Sequence, residues 1–295
     1  MPKQLIKKND GLVFASINYI AFFILAFLCF YPFYYIFIYS ISDSAQLAKQ
    51  TISFFPAGFS LYTYSQIFER GDVYHSFFIS ASRAVAGTLI TIVCTSFFSY
   101  LLSKKEMFMR KTMYRLTVIS MYANAGLVPW YVTMKGIGLK NSFLLYILPT
   151  AIGAFYVVLF KTYVEQLPPA LEEAALIDGA GFITTFARII FPVSMPIIAT
   201  IAIFSAVSQW NSWQDNLFLC SEPKLTTLQL MLFNFLTSNT ATSMRQMSMV
   251  KGGRIMTPEA IKMTMCMITV LPIIIVYPSL QKYFIKGIML GAVKG

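Results

Sequence analysis

Charge is scarce in this chain, and that scarcity sets the first limit. Only 12% of its 295 residues are Asp, Glu, Lys or Arg, about half the share usual for a soluble globular domain. Acidic residues are the rarer sign, 12 against 23 Lys and Arg. A carrier driven by an ion gradient usually buries carboxylates inside its spans. Here every Asp and Glu falls outside the long charge-free windows, which weakens that reading. His75 is the single histidine, and the four cysteines Cys29, Cys94, Cys220 and Cys266 show no CxxC or Cys/His pairing. A zinc site or a disulfide frame therefore has no support. No Gly-x-x-x-x-Gly-Lys-Ser/Thr occurs, since Lys135-Gly136-Ile137-Gly138 lacks the continuation, so the chain carries no P-loop of its own. Nor does it contain His-Glu-x-x-His or Gly-x-Ser-x-Gly. No catalytic residue and no metal ligand is assigned.

What is present is apolar length. Windows without a charge run over Leu12–Ser42, Ala84–Ser103, Leu116–Met134, Asn141–Phe160, Ile189–Gln214 and Met263–Gln281. About 20 helical residues cross the hydrocarbon core, so each window is long enough. The expectation is one all-α integral membrane domain over 1–295. It has six transmembrane helices, near 13–41, 77–102, 114–134, 142–162, 195–217 and 261–284. The first is oversized and extends into the interface through Tyr31, Tyr34, Tyr35 and Tyr39. Its Tyr/Phe-rich core has no small-x-small site after it, so it reads as a retained span rather than a cleaved signal.

The net charge of +11 could suggest nucleic acid, but its placement reads as topology. Lys3, Lys7 and Lys8, then Lys104, Lys105, Arg110, Lys111 and Arg115, then Lys282, Lys286 and Lys294 fall on one side if six spans alternate. That is the positive-inside pattern, which places both termini in the cytoplasm, with contact to anionic lipid as a secondary effect. On the opposite side, Leu61–Phe68 alternates aromatic and polar residues and is expected at the interface. His75 stands near the mouth of span two. Arg83, drawn into that span, is expected to snorkel outward. The segment Thr226–Leu236 has Leu228, Met231, Leu232 and Phe235 on one helical face.

Two groups are candidates for a solute path. Tyr122 and Asn124 lie at mid-span beside Gly126 and Pro129, where small residues and a proline let a helix bend and expose backbone to a polar cavity. Trp210, Asn211 and Trp213 end span five. They form either an aromatic belt at the interface or a vestibule in which rings meet the C–H faces of a sugar and amides meet its hydroxyls.

The remaining polar-patterned stretch, Leu167–Pro196, lies between spans four and five. Pro168 and Pro169 suit a helix's first turn, Glu172 and Glu173 favour its positive end, and Gly179 and Gly181 can end it in the left-handed conformation. A second amphipathic helix follows from about Phe182 to Ile190, with Pro192 as its stop. The pair makes a compact element suited to docking, within a loop taken as 164–194.

Glu173-Ala174-Ala175, three residues, Gly179, nine residues, Ile189, one residue, Phe191-Pro192 resembles the EAA loop of ABC-importer permeases, with Phe191 in place of the usual Leu as the one departure. Glu-Ala-Ala-Leu-Ile-Asp-Gly-Ala is similar to the carbohydrate class of binding-protein-dependent permeases. The ending Gly291-Ala292-Val293-Lys294-Gly295 resembles the tail of the maltose-type second permease, and Trp210-Asn211-Ser212-Trp213 resembles a cluster common in carbohydrate permeases. The spacing along the whole chain is most like the oligosaccharide permeases of the lipoprotein-linked and alginate importers.

The resemblance implies a non-catalytic permease subunit in a bacterial cytoplasmic membrane. Its partners would be a second homologous permease, two ATPase subunits that bind the ATP and Mg, and an extracytoplasmic solute-binding protein that delivers an oligosaccharide. It implies ATPase coupling through Glu172, Glu173, Ala174, Ala175, Asp178 and Gly179, with Lys294 of the tail as a second contact. A permease of the same superfamily with a peptide or amino-acid cargo, or an ion-coupled carrier, remains an alternative.

Overall fold

The computed structural model describes residues 8–47, 54–69, 71–123, 125–237 and 256–292. Among these the fold is helical, with a single isolated bridge between Ser42 and Phe59. Three helices are long and apolar enough to cross a membrane, and two bent helix pairs raise the number to at most five.

The chain divides into two units. The first contains α1 (Lys8–Ser40) and the short helices α2 (Ser44–Leu47) and α3 (Tyr62–Glu69). Every residue from Phe14 to Phe33 except Ala15 is exposed within this chain, so an apolar helix presents its whole girth outward. From Phe14 onward, its packed part is the Ser40 end. There Ser60 N–H donates to the Ile41 carbonyl at 2.8 Å, the Asp43 N–H to that of Gly58 at 2.9 Å, and Tyr34 Oη to that of Phe54 at 2.8 Å.

The second unit is built on α4 (Asp72–Ser103), an unbroken helix of 32 residues, about 48 Å long at 1.5 Å per residue. One face carries Ser76, Ser80, Arg83, Gly87, Thr91, Thr95 and Ser99, all buried. Small and hydroxylated side chains there let neighbours approach closely. Then come α5 (Arg110–Tyr122), α6 (Leu127–Gly136), two 3₁₀ turns at Phe143–Tyr146 and Leu148–Thr150, and α7 (Ala154–Val164). After them come α8 (Ala170–Ile177), α9 (Phe182–Val193), α10 (Met195–Asn211), α11 (Gln214–Leu219) and α12 (Leu228–Thr237). The closing helix α13 (Pro258–Ala292) runs through both units.

Three expected spans are interrupted, the stretch 195–217 at Ser212 and Trp213 between α10 and α11. The stretch 114–134 breaks at Ala123, which is extended, and at Gly126, whose φ of 82° with ψ of 178° suits glycine alone. The stretch 142–162 starts as 3₁₀ turns and bends by 45° into α7, with Pro149 and Gly153 at the break.

Two apolar clusters hold this unit. One joins Tyr100, Phe160, Val164, Phe186, Ile190, Ile197, Ile198 and Ile201 near the Ser103 end of α4. The other joins Leu139, Leu145, Tyr146, Ile147 and Leu219, with Ile79 and Ala86 of α4 packed against it.

Candidate functional site: the loop of α8 and α9 and the Trp210 cluster

Helix α8 starts at Ala170 behind Pro168 and Pro169, whose carbonyls accept from the N–H groups of Leu171 (3.2 Å) and Glu172 (3.0 Å). It ends on Gly179 at φ 76°. Gly179 N–H donates to the Leu176 carbonyl at 3.0 Å and Ala180 N–H to that of Ala175 at 2.9 Å. This paired closure is the Schellman arrangement, and the positive φ makes glycine the natural residue. Gly181 does not share the left-handed role. Its φ is −71° and ψ 165°, and it caps the start of α9.

Pro192 does not stop the second helix. Having no N–H, and with a ring that would crowd the Arg188 carbonyl, it is accommodated by a π turn over Phe186–Ile190, closed by Phe191 N–H on the Phe186 carbonyl. The helix continues to Val193, and a 79° bend at Ser194 leads into α10.

The candidate coupling residues divide by direction. Glu173, Ala174, Asp178 and Gly179 are exposed, as are Leu176 and Ile177 at 66% and 86%. Ala175 is buried within the chain. Glu172 is turned inward and ion-paired to Lys104 just beyond α4. Lys294 lies outside the described residues, and so does Asn124.

Trp210 and Asn211 end α10 and Trp213 follows it, each side chain with its own partner. Trp210 Nε1 donates to the Thr269 carbonyl at 3.1 Å, and its ring meets Phe77 edge-on at 5.8 Å. Asn211 Oδ1 accepts from Gln229 Nε2 at 3.0 Å. The Trp213 ring stacks on Phe233 at 4.0 Å. Phe77, Gln229 and Phe233 were not singled out in the sequence, which has no local signal for partners so distant along the chain. Tyr122 stands 79% exposed at the end of α5.

Arg83 does not snorkel. It is 2% exposed and forms a two-pronged pair with Asp215, with Nη1 at 3.0 Å from Oδ1 and Nη2 on Oδ2. Its Nε donates to Gln209 Oε1 at 2.9 Å, Nη1 also donates to the Ser212 carbonyl, and the guanidinium lies 4.5 Å from the centroid of the Tyr146 ring. A buried guanidinium persists only when paired and hydrogen-bonded in this way. Gln209 donates onward to Thr150 Oγ1 at 2.7 Å. Nearby, Asn216 Oδ1 accepts from Thr227 N–H and Oγ1 (2.8 and 3.1 Å), and Ser80 Oγ accepts from Leu228 N–H at 2.8 Å. These bonds tie the first turn of α12 to α4 and α11. On α12 the buried residues are Leu228 and Leu230, whereas Met231, Leu232 and Phe235 of the expected stripe are half-buried. His75 Nε2 lies 2.7 Å from the Lys224 carbonyl and is exposed. Burial pushes the Cys220 thiol above its usual range, against the opposing pull of hydrogen bonds with Tyr146 and Asn216. All four cysteines are free. Among the described residues no cluster of His, Cys, Asp and Glu could hold a metal.

No family model matches the chain. It is 32% identical over 270 residues to the Bacillus subtilis polygalacturonan/rhamnogalacturonan transport system permease protein YtcP, covering 92% of this chain and 94% of that one. The chain belongs to the carbohydrate permeases of ABC importers. This permease is also 35% identical over 266 residues to the B. subtilis protein LplC, covering 90% and 89% of the two chains. Among solved structures it matches a chain of a bacterial ABC transporter involved in the import of the acidic polysaccharide alginate, with a TM-score of 0.85 and 26% identity. That match covers 96% of the permease and all of the neighbour's chain. The membrane character of the permease agrees with its apolar helices.

Proposed function

We propose that this permease is the non-catalytic, six-span subunit through which an ATP-driven importer moves an oligosaccharide handed over by an extracytoplasmic binding protein. It sits in a bacterial cytoplasmic membrane with both termini and the α8–α9 loop inside. A second permease supplies the other half of the path, and two ATPase subunits supply ATP and Mg chemistry. The observation that carries the coupling role is the outward face of α8, where Glu173, Ala174, Asp178 and two large exposed apolar residues, Leu176 and Ile177, stand together. Such a short apolar and acidic ridge is suited to a groove in a partner. ATP-driven closure of the ATPase pair pushes on this helix and opens the cavity outward. Trp210, Asn211 and Trp213 line the path, with Tyr122 on the same route. The names of YtcP and of the alginate importer support an oligosaccharide cargo, uronate-containing chains first among the candidates.

The expected outcome is that Glu173→Lys or Gly179→Leu leaves the protein inserted in the membrane but separates ATP hydrolysis from uptake. Radiolabelled sugar uptake and phosphate release, measured in the same reconstituted complex, check it. Normal transport by both variants contradicts the coupling assignment.

A further inference from the structure

The positive-inside pattern includes the basic residues after α4, and two of them, Lys104 and Arg110, also hold the chain of the α8–α9 loop. Lys104 caps α4, pairs with Glu172 of α8, and lies with its Nζ 4.4 Å from the centroid of the Tyr100 ring. Tyr100, in turn, packs against both Phe182 (4.7 Å) and Phe186 (5.2 Å) of α9, and Phe97 meets Phe186 edge-on. Both arms of the loop are thus seated on the last two turns of one helix. The chain entering α8 is held as well, because Glu165 takes Lys161 at 2.7 Å and Arg110 at 3.6 Å.

We propose that Lys104 is a positioning residue of the transport cycle: through Glu172 it carries α8 on the end of α4, so that a push received by α8 is delivered along α4. This rests on the reading of α8 as the ATPase-facing helix. It also gives Glu172 and Glu173 different tasks, with Glu172 gripping its own chain and Glu173 offered to the partner. A cation–carboxylate pair whose side chains are 17% and 28% exposed is weak enough to leave the fold intact when removed. Its loss leaves α8 held by its buried Ala175 and, through the loop, by the aromatic stack on α9, so the push is partly lost in slack.

The test uses the full importer, co-expressed and reconstituted with its binding protein. Lys104→Met and Glu172→Gln are each expected to lower sugar molecules moved per ATP hydrolysed, by no more than about fivefold, the upper end of what a pair of this exposure contributes. Lys104→Arg keeps the native ratio, and the exchange Lys104→Glu with Glu172→Lys recovers it to within about twofold, as expected for directly interacting sites. Should a single variant fail to assemble, recovery of assembly and ratio by the exchanged pair supports the proposal. An unchanged ratio in both single variants, or an exchanged pair no better than the singles, overturns it. Glu173→Lys separates this from failure of the underlying reading. If that variant uncouples while Lys104→Met does not, only the positioning role is lost. If neither uncouples, the coupling assignment itself falls.

Discussion

The two regions where α4 grips a loop use different physics. Around Arg83 the charge is 2% exposed, doubly paired with Asp215, and braced by Gln209, Ser212 and Tyr146. At Lys104, about 30 Å along the helix at 1.5 Å per residue, the pair with Glu172 is partly solvated and backed by stacked rings. Losing one partner of a buried pair strands a charge in an apolar medium, whereas a solvated pair exchanges its partner for water at little cost. One loop is therefore fixed to the helix, and the other is held with some give. The give lies at the loop proposed to pass on motion.

The largest effect that would break this comparison is at the buried pair. Arg83→Met or Asp215→Leu alone is expected to destabilise the unit by about 3–5 kcal/mol, and the two together to recover most of that loss. Thermal melts of the purified importer in detergent check it. A double variant as unstable as the sum of the singles would mean that the pair is not the unit of stability.

A smaller effect is expected where α4 and α10 cross. A Cβ at Gly87 would lie 2.7 Å from Gln209 Cδ, whereas one at Gly136 would meet nothing within 4 Å. Gly87→Leu is therefore expected to cost about 1–3 kcal/mol, and Gly136→Ala to stay within about 0.5 kcal/mol. Equal melting points for these two variants would contradict a close crossing at Gly87.

The smallest expected effect lies at the other end. Lys104→Met is expected to change stability by about 1 kcal/mol or less, in the same melts. A loss as large as that of Arg83→Met would erase the difference between the two regions.

Much of the apolar frame could be read directly, because a run without charge needs no partner to be recognised. The windows Leu12–Ser42 and Ala84–Ser103 lie within α1 and α4 apart from two residues after α1. Breaks were harder to place. Gly126 and Pro149 announce a bend, but whether a helix bends or stops depends on which carbonyls find other donors. Pro192 shows the limit, since a π turn lets α9 run past it. The α8–α9 loop was legible down to Gly179, whose left-handed φ follows from local turn chemistry. Glu172 and Ala175 were not separable from Glu173 and Ala174 by pattern, because inward and outward faces are decided by what packs against them. Arg83 was misjudged for the same reason. Asp215 lies one residue beyond its apolar window, and pairing the two charges needed a contact across 132 positions.

The most direct test of the central claim is affinity purification of the tagged permease from native membrane, followed by mass spectrometry and an ATPase assay with a sugar-loaded binding protein. The account predicts recovery of a second permease and an ATPase, with hydrolysis stimulated by the loaded binding protein. A permease that purifies alone in mild detergent at native expression, with no stimulated hydrolysis, would contradict it.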